Sequence, residues 1–221
     1  MAGLSERLRG EASRIWDRIM EHPFVIGLYE GTLDLERFRF YIVQDYNFLI
    51  ESMRAFSLLA SKADPETARL ALEVAHGDAT IELDNYKRLL PRLGLTMEDV
   101  LRAEPAPTNL AYTSFLVATC ATRGPLECLT ALLPCYWSYL EIAEHHKDKL
   151  EGNRVQLYRD WASAYLTSEY RELVEEMKSH ADRLWEEAGG NYEELRRIFI
   201  TASRYEYLFW DMAYKQEQWP I

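Results

Sequence analysis

Apolar side chains recur every three or four positions along most of this chain, and that period restricts the fold more than any other feature. Within residues 34–62, Phe38, Tyr41, Phe48, Ser52 and Phe56 fall in one register. Near the other end, Leu195, Phe199, Ala202, Phe209 and Ala213 form a second stripe. Such a stripe is one face of an α-helix turned toward a core. No alternating apolar run bounded by turn residues appears, so no strand is expected. Ten glycines and eight prolines in 221 residues are few, which favours long elements. The expected class is all-α, a helical bundle of long antiparallel elements with short connections, in one domain spanning 1–221.

Helix ends are marked by capping and breaking residues. Ser5 is expected to cap a first helix to about Glu21, which His22-Pro23 interrupts before a short turn to Gly31. Asp34 caps a helix through about Lys62, and Asp64-Pro65 opens the next, to Leu93 and Gly94. Thr96-Met97-Glu98-Asp99 resembles a capping box with Asp in place of Glu. Thr108 caps a helix to about Arg123, and Gly124-Pro125 opens another to about Leu150. A short helix with Trp161 and Tyr165 follows, then helices 168–188 and 192–216, parted by Gly189-Gly190-Asn191.

The net charge of −11, with no basic run, excludes a nucleic-acid backbone as partner. No segment approaches the ~18 apolar residues of a membrane span. Three cysteines, Cys120, Cys128 and Cys135, form no CxxC pair. An odd number without such a pair argues against a disulfide framework and for a reducing, cytoplasmic location.

Three polar residues share registers with apolar neighbours. Asp45 falls between Tyr41 and Phe48, and Glu206 between Ala202 and Phe209. Cys135 shares a face with Leu132, Tyr139 and Ile142, directly after Pro134. A carboxylate on a core stripe costs several kcal/mol unless it is paired or neutralised. Two of them and a thiol, on three helices, suggest one polar pocket; structural pairing with tyrosines or arginines is the plainer alternative. Fourteen tyrosines add phenols that need partners when buried. Metal chemistry has little support. Glu73-Val74-Ala75-His76 is one Glu-x-x-His pair, and a bundle di-metal site needs two. No cofactor is implied.

His22-Pro23-Phe24 with Gly31-Thr32-Leu33, Tyr41-Ile42-Val43-Gln44-Asp45-Tyr46, Tyr112-Thr113-Ser114, Leu132-Leu133-Pro134-Cys135-Tyr136-Trp137 and Tyr205-Glu206-Tyr207-Leu208-Phe209-Trp210 occur in this order. In this combination the chain resembles the TenA/thiaminase II family, in the branch with a cysteine on this helix. The resemblance implies a haem-oxygenase-like helical bundle and an aminopyrimidine aminohydrolase of thiamin salvage. Such an enzyme hydrolyses 4-amino-5-aminomethyl-2-methylpyrimidine to the hydroxymethyl pyrimidine and ammonia. Many members also split thiamin. The resemblance makes Cys135 the nucleophile and Glu206 the acid/base. It makes Asp45 the holder of the aminopyrimidine edge, with Phe48, Tyr112, Tyr139 and Tyr165 around the ring. Phe48 stands where the family pattern has tyrosine, so stacking is kept and a hydroxyl is lost. The resemblance further implies a homotetramer with a small-molecule pyrimidine substrate. The alternative is a non-catalytic, pyrimidine-binding regulatory protein.

Overall fold

The computed structural model describes residues 3–221, and no strand occurs among them. The helices are α1 (Leu4–Glu11), α2 (Ser13–Met20), α3 (Pro23–Glu30), α4 (Leu35–Ala60), α5 (Pro65–Gly77), α6 (Leu83–Leu89) and α7 (Met97–Arg102). They continue as α8 (Pro107–Thr122), α9 (Pro125–His145), α10 (Lys147–Gly152), α11 (Gln156–Ser163), α12 (Ser168–Ala188) and α13 (Tyr192–Lys215). A π-helical turn, Asp78–Glu82, joins α5 to α6. Among the described residues, no helix is long and apolar enough to cross a membrane.

The chain forms two compact units. One comprises the chain up to Asp34 together with Leu129–Asp211; the other comprises Leu35–Cys128 with Met212–Ile221. In the first, Trp16 is wholly buried, 6.2 Å from a stacked Phe199, and its indole N–H donates to Ser203 Oγ at 3.0 Å. Burying a side chain of Leu or Phe size stabilises by about 1.5–3 kcal/mol. The stripe Leu195, Phe199, Ala202 and Phe209 is buried as its spacing predicts. The end of α3 shows how a side chain closes a helix. Asn153 Nδ2 donates to the carbonyls of Leu28 and Tyr29 at 2.8 and 3.1 Å, supplying donors that the last turn lacks. Gly31 follows in the left-handed region at φ 79°, and a Cβ there would lie 2.3 Å from Asn153 Oδ1. The Gly31 position therefore excludes any side chain.

In the second unit, Phe38, Tyr41, Phe48, Ser52 and Phe56 are all buried on α4, as predicted. Asp64 caps α5, accepting from the Glu66 and Thr67 N–H groups, and Thr96 with Asp99 completes the capping box of α7.

The helices expected over 5–21, 65–93 and 125–150 are each interrupted, at Ala12, at the turn Asp78–Glu82 and at His146, and three further local expectations are corrected. Ser5 does not cap α1. It lies inside the helix, and its N–H and hydroxyl both donate to the Asp182 carboxylate. Thr108 is the second residue of α8 and not its cap. Pro107 fills the first position, where a missing N–H costs nothing, and Thr108 N–H donates to Glu217 Oε2 at 2.9 Å. Cys120 and Cys128 are not unpaired thiols but form a disulfide. The turn at Arg123-Gly124 folds the end of α8 against the start of α9 and brings the two α-carbons to 4.6 Å. A spacing of eight residues does not announce that approach. Lys62 Nζ donates to the carbonyls of Cys120 and Arg123, placing a cation at the C-terminus of α8.

Candidate active site

Cys135 sits on α9, which runs through Pro134 without interruption. Proline has no N–H to offer the Thr130 carbonyl one turn back. Cys135 is outside the disulfide and partly exposed, so its thiol is not sealed in the core. Ser138, three residues on, is completely buried. Its hydroxyl donates to Glu206 Oε2 at 3.2 Å and lies 3.5 Å from the Cys135 carbonyl oxygen. Glu206 enters from α13 and is 3% exposed. Helix residues three apart have Cβ atoms about 5–6 Å from each other. The carboxyl held by Ser138 therefore lies over the turn of α9 that carries the thiol. Ser138 thus ties Glu206 of α13 to the helix that carries Cys135.

Four aromatic rings gather in the same unit. Tyr139 lies 4.9 Å from Tyr165, 5.1 Å from Trp210 and 6.1 Å from Trp161, between ring centroids. Tyr165 is also 4.9 Å from Trp161, edge to face. Such offset and edge contacts are the favoured aromatic geometries. His22 is the N-cap of α3; its Nδ1 accepts from the Phe24 N–H at 3.1 Å.

Asp45, Phe48 and Tyr112 belong to the second unit. Phe48 and Tyr112 pack with centroids 5.1 Å apart. The Tyr86 hydroxyl makes a short hydrogen bond to Asp45 Oδ2, and the Tyr41 hydroxyl also bonds this carboxyl. Burial raises Asp45 to about 7, and the charge of Glu82 adds to the rise; the two phenols pull the other way. Burial also raises Glu82 itself. Asp45 therefore changes charge near neutral pH. Among the described residues, no group of three or more His, Cys, Asp or Glu is placed to hold a metal ion.

A carboxyl that is half protonated near pH 7 suits a flat heterocycle bearing an amino group beside a ring nitrogen. Its carbonyl oxygen accepts from the amino group and its hydroxyl donates to the ring nitrogen. A thiol on the helix that also holds a buried carboxyl provides the groups that covalent addition with proton transfer requires.

The model of the TENA/THI-4/PQQC family matches residues 9–216. The chain belongs to this family. This TenA-family chain is 35% identical over 214 residues to a protein named aminopyrimidine aminohydrolase from Halalkalibacterium halodurans, covering 95% of this chain and 94% of that one. It superposes with a TM-score of 0.92 on a TenA homologue protein from P. horikoshii OT3, at 45% identity, with 97% and 99% of the two chains covered. A domain of unknown function with a heme oxygenase-like fold from Shewanella denitrificans superposes at a TM-score of 0.71 and 15% identity, covering 96% and 92%. The TenA-family chain thus has an all-α, haem-oxygenase-like fold.

Sequence reading missed Ser138, Trp161, Tyr86 and Glu82 as members of these groups. Ser138 was within reach, since it stands three residues from Cys135 and so shares its helix face. Trp161 stands four residues before Tyr165, a spacing that also pairs side chains on a helix. Tyr86 and Glu82 were not legible, because the π-turn Asp78–Glu82 breaks the period that would have placed them.

Proposed function

We propose that this chain is an aminopyrimidine aminohydrolase of thiamin salvage. Its substrate is 4-amino-5-aminomethyl-2-methylpyrimidine, with thiamin hydrolysis as a second activity of the same machinery. The observation that carries this reading is the Ser138–Glu206 hydrogen bond, which holds a buried carboxyl over the turn of Cys135. The name of the Halalkalibacterium halodurans relative supports the substrate class. The match across residues 9–216 takes in both units, which supports reading 1–221 as one TenA-like domain.

In this reading, the Cys135 thiolate adds to a ring carbon. The electron pair released toward the exocyclic carbon breaks its bond to nitrogen, and Glu206 gives the proton that completes ammonia. Water then adds to the exocyclic carbon, and Glu206 takes its proton. The S–C bond breaks, the ring regains aromaticity and the thiolate returns. Net, one amine and one water become one alcohol and one ammonia. Asp45 holds the aminopyrimidine edge. Phe48, Tyr112, Tyr139 and Tyr165 supply ring contacts. A protonated Asp45 pairs with a neutral aminopyrimidine, and an ionised one pairs with a ring that brings its own proton. Either way the pair carries one proton.

The reading includes a cytoplasmic homotetramer. Its one disulfide is compatible with that location, because Cys120 and Cys128 are both fully buried and out of reach of soluble thiols. The deciding test is ammonia release from the aminomethyl pyrimidine, with thiamin hydrolysis measured alongside. Tight pyrimidine binding without turnover of either compound would overturn the enzyme and favour a regulatory binder.

A further inference from the structure

We propose that Ser138 is a positioning residue for this chemistry, holding the Glu206 carboxyl over the Cys135 turn through every stage of the reaction. The inference rests on the acid/base role proposed for Glu206.

Ser138 is an unusual choice for its place. It is fully buried in the middle of α9, where alanine would fill the space with better helix propensity. A buried hydroxyl needs a partner. A serine inside a helix usually finds one in a backbone carbonyl a turn earlier. That carbonyl, of Cys135, is present at 3.5 Å, the limit of a hydrogen bond. The Glu206 oxygen is nearer, at 3.2 Å, and comes from a different helix. The side chain thus favours the contact that spans two helices over the local one.

A serine hydroxyl has one proton and two lone pairs. While Glu206 is a carboxylate, the hydroxyl donates to Oε2. Once Glu206 carries a proton on Oε2, the serine oxygen accepts it and turns its own proton to the Cys135 carbonyl. Rotation of one O–H bond serves both states, and no heavy atom moves. Alanine would leave the carboxyl buried without this tether. Threonine would restore the tether and add a methyl group.

The test compares Ser138→Ala, Ser138→Thr and Glu206→Gln in ammonia release, with melting curves for each. The tether acts on the reacting carboxyl more than on ring binding. Loss of one hydrogen bond to a charged group should therefore lower kcat about tenfold in Ser138→Ala, with KM within about twofold. Ser138→Thr should recover most of that kcat. Wild-type kcat in Ser138→Ala beside an inactive Glu206→Gln overturns the inference and leaves the enzyme reading in place. So does a Ser138→Thr enzyme as slow as Ser138→Ala. Wild-type turnover in Glu206→Gln overturns the acid/base reading itself, and the inference with it. If Ser138→Ala melts too low to assay, Ser138→Cys keeps the volume with a weaker donor. A fall in its kcat then supports the tether, and an unchanged kcat overturns it.

Discussion

Glu206 and Asp45 are both carboxyls on otherwise apolar helix stripes, yet their settings differ. Glu206 has a serine hydroxyl from the helix that carries the thiol. Asp45 has two phenols and a second carboxyl, Glu82, pressing on it. The first setting fixes a carboxyl through a hydrogen bond to a second helix. The second tunes when a group carries a proton. Under the proposed function the two carboxyls have separate tasks, orientation for one and charge for the other.

The largest effects should come from the first setting. Glu206→Gln or Cys135→Ser should lower turnover by about a thousandfold or more, because acid/base and nucleophilic steps each supply effects of that order. Steady-state ammonia release checks this, and near-wild-type rates would dissolve the contrast. Asp45 should fail differently. Asp45→Ala should raise KM about a hundredfold, leaving a buried ring edge unpaired. Asp45→Asn, whose amide keeps one acceptor and one donor, should stay within about tenfold of wild type.

The pH response separates the two settings further. The proton of Asp45 is lost near 7, so kcat/KM for a neutral substrate should fall as pH rises through that value, and Asp45→Asn should flatten the fall. Stability follows the same group. Its folded value lies above the unfolded one, so the folded state holds the extra proton between about pH 4 and 7. Asp45 therefore destabilises the fold increasingly across that window and fully above it. Asp45→Asn should be more stable than wild type at pH 8, by about 1–2 kcal/mol after allowance for solvent screening, and should melt higher.

A change of stability of similar size but opposite sign, without loss of turnover, is expected at the disulfide. Closing a short loop between Cys120 and Cys128 should stabilise by about 2–3 kcal/mol. Cys120→Ser should lower the unfolding free energy by that amount, and the denaturant midpoint with it, at unchanged kcat; a midpoint equal to wild type would show the bond to be absent or idle. The smallest effect belongs to Glu82→Gln. Removing its charge should move the Asp45 limb of the pH profile to lower pH. A limb that stays in place would remove Glu82 from the tuning of Asp45.

The helical class, the buried stripes of α4 and α13 and the capping of α5 and α7 were legible because each depends on residues three or four apart. That Cys135 and Glu206 each interrupt an apolar register was legible in the sequence. The Ser138 hydroxyl that joins Glu206 to the Cys135 helix was hidden by being small and neutral among large neighbours. The disulfide and the partners of Asp45 depend on how distant turns approach, and no local period encodes that. Ile81 illustrates the limit. It stands seven residues after buried Val74, where an unbroken helix would bury it, yet it is 64% exposed.

That exposure follows from the extra residue packed into the turn Asp78–Glu82. One residue advances an α-helix by about 100°, enough to turn Ile81 outward and Tyr86 inward. Deleting a single exposed residue there, such as Thr80, would restore an ordinary helix. The apolar faces of α5 and α6 would still meet their neighbours, since the surplus turn would vanish with the surplus residue. Residues of the turn itself, Glu82 among them, would be re-aimed. At this turn, losing a residue is a milder change than it is in a regular helix. A change of length at this turn would therefore alter what surrounds Asp45, through Glu82, at less cost to the fold than the same change inside a regular helix.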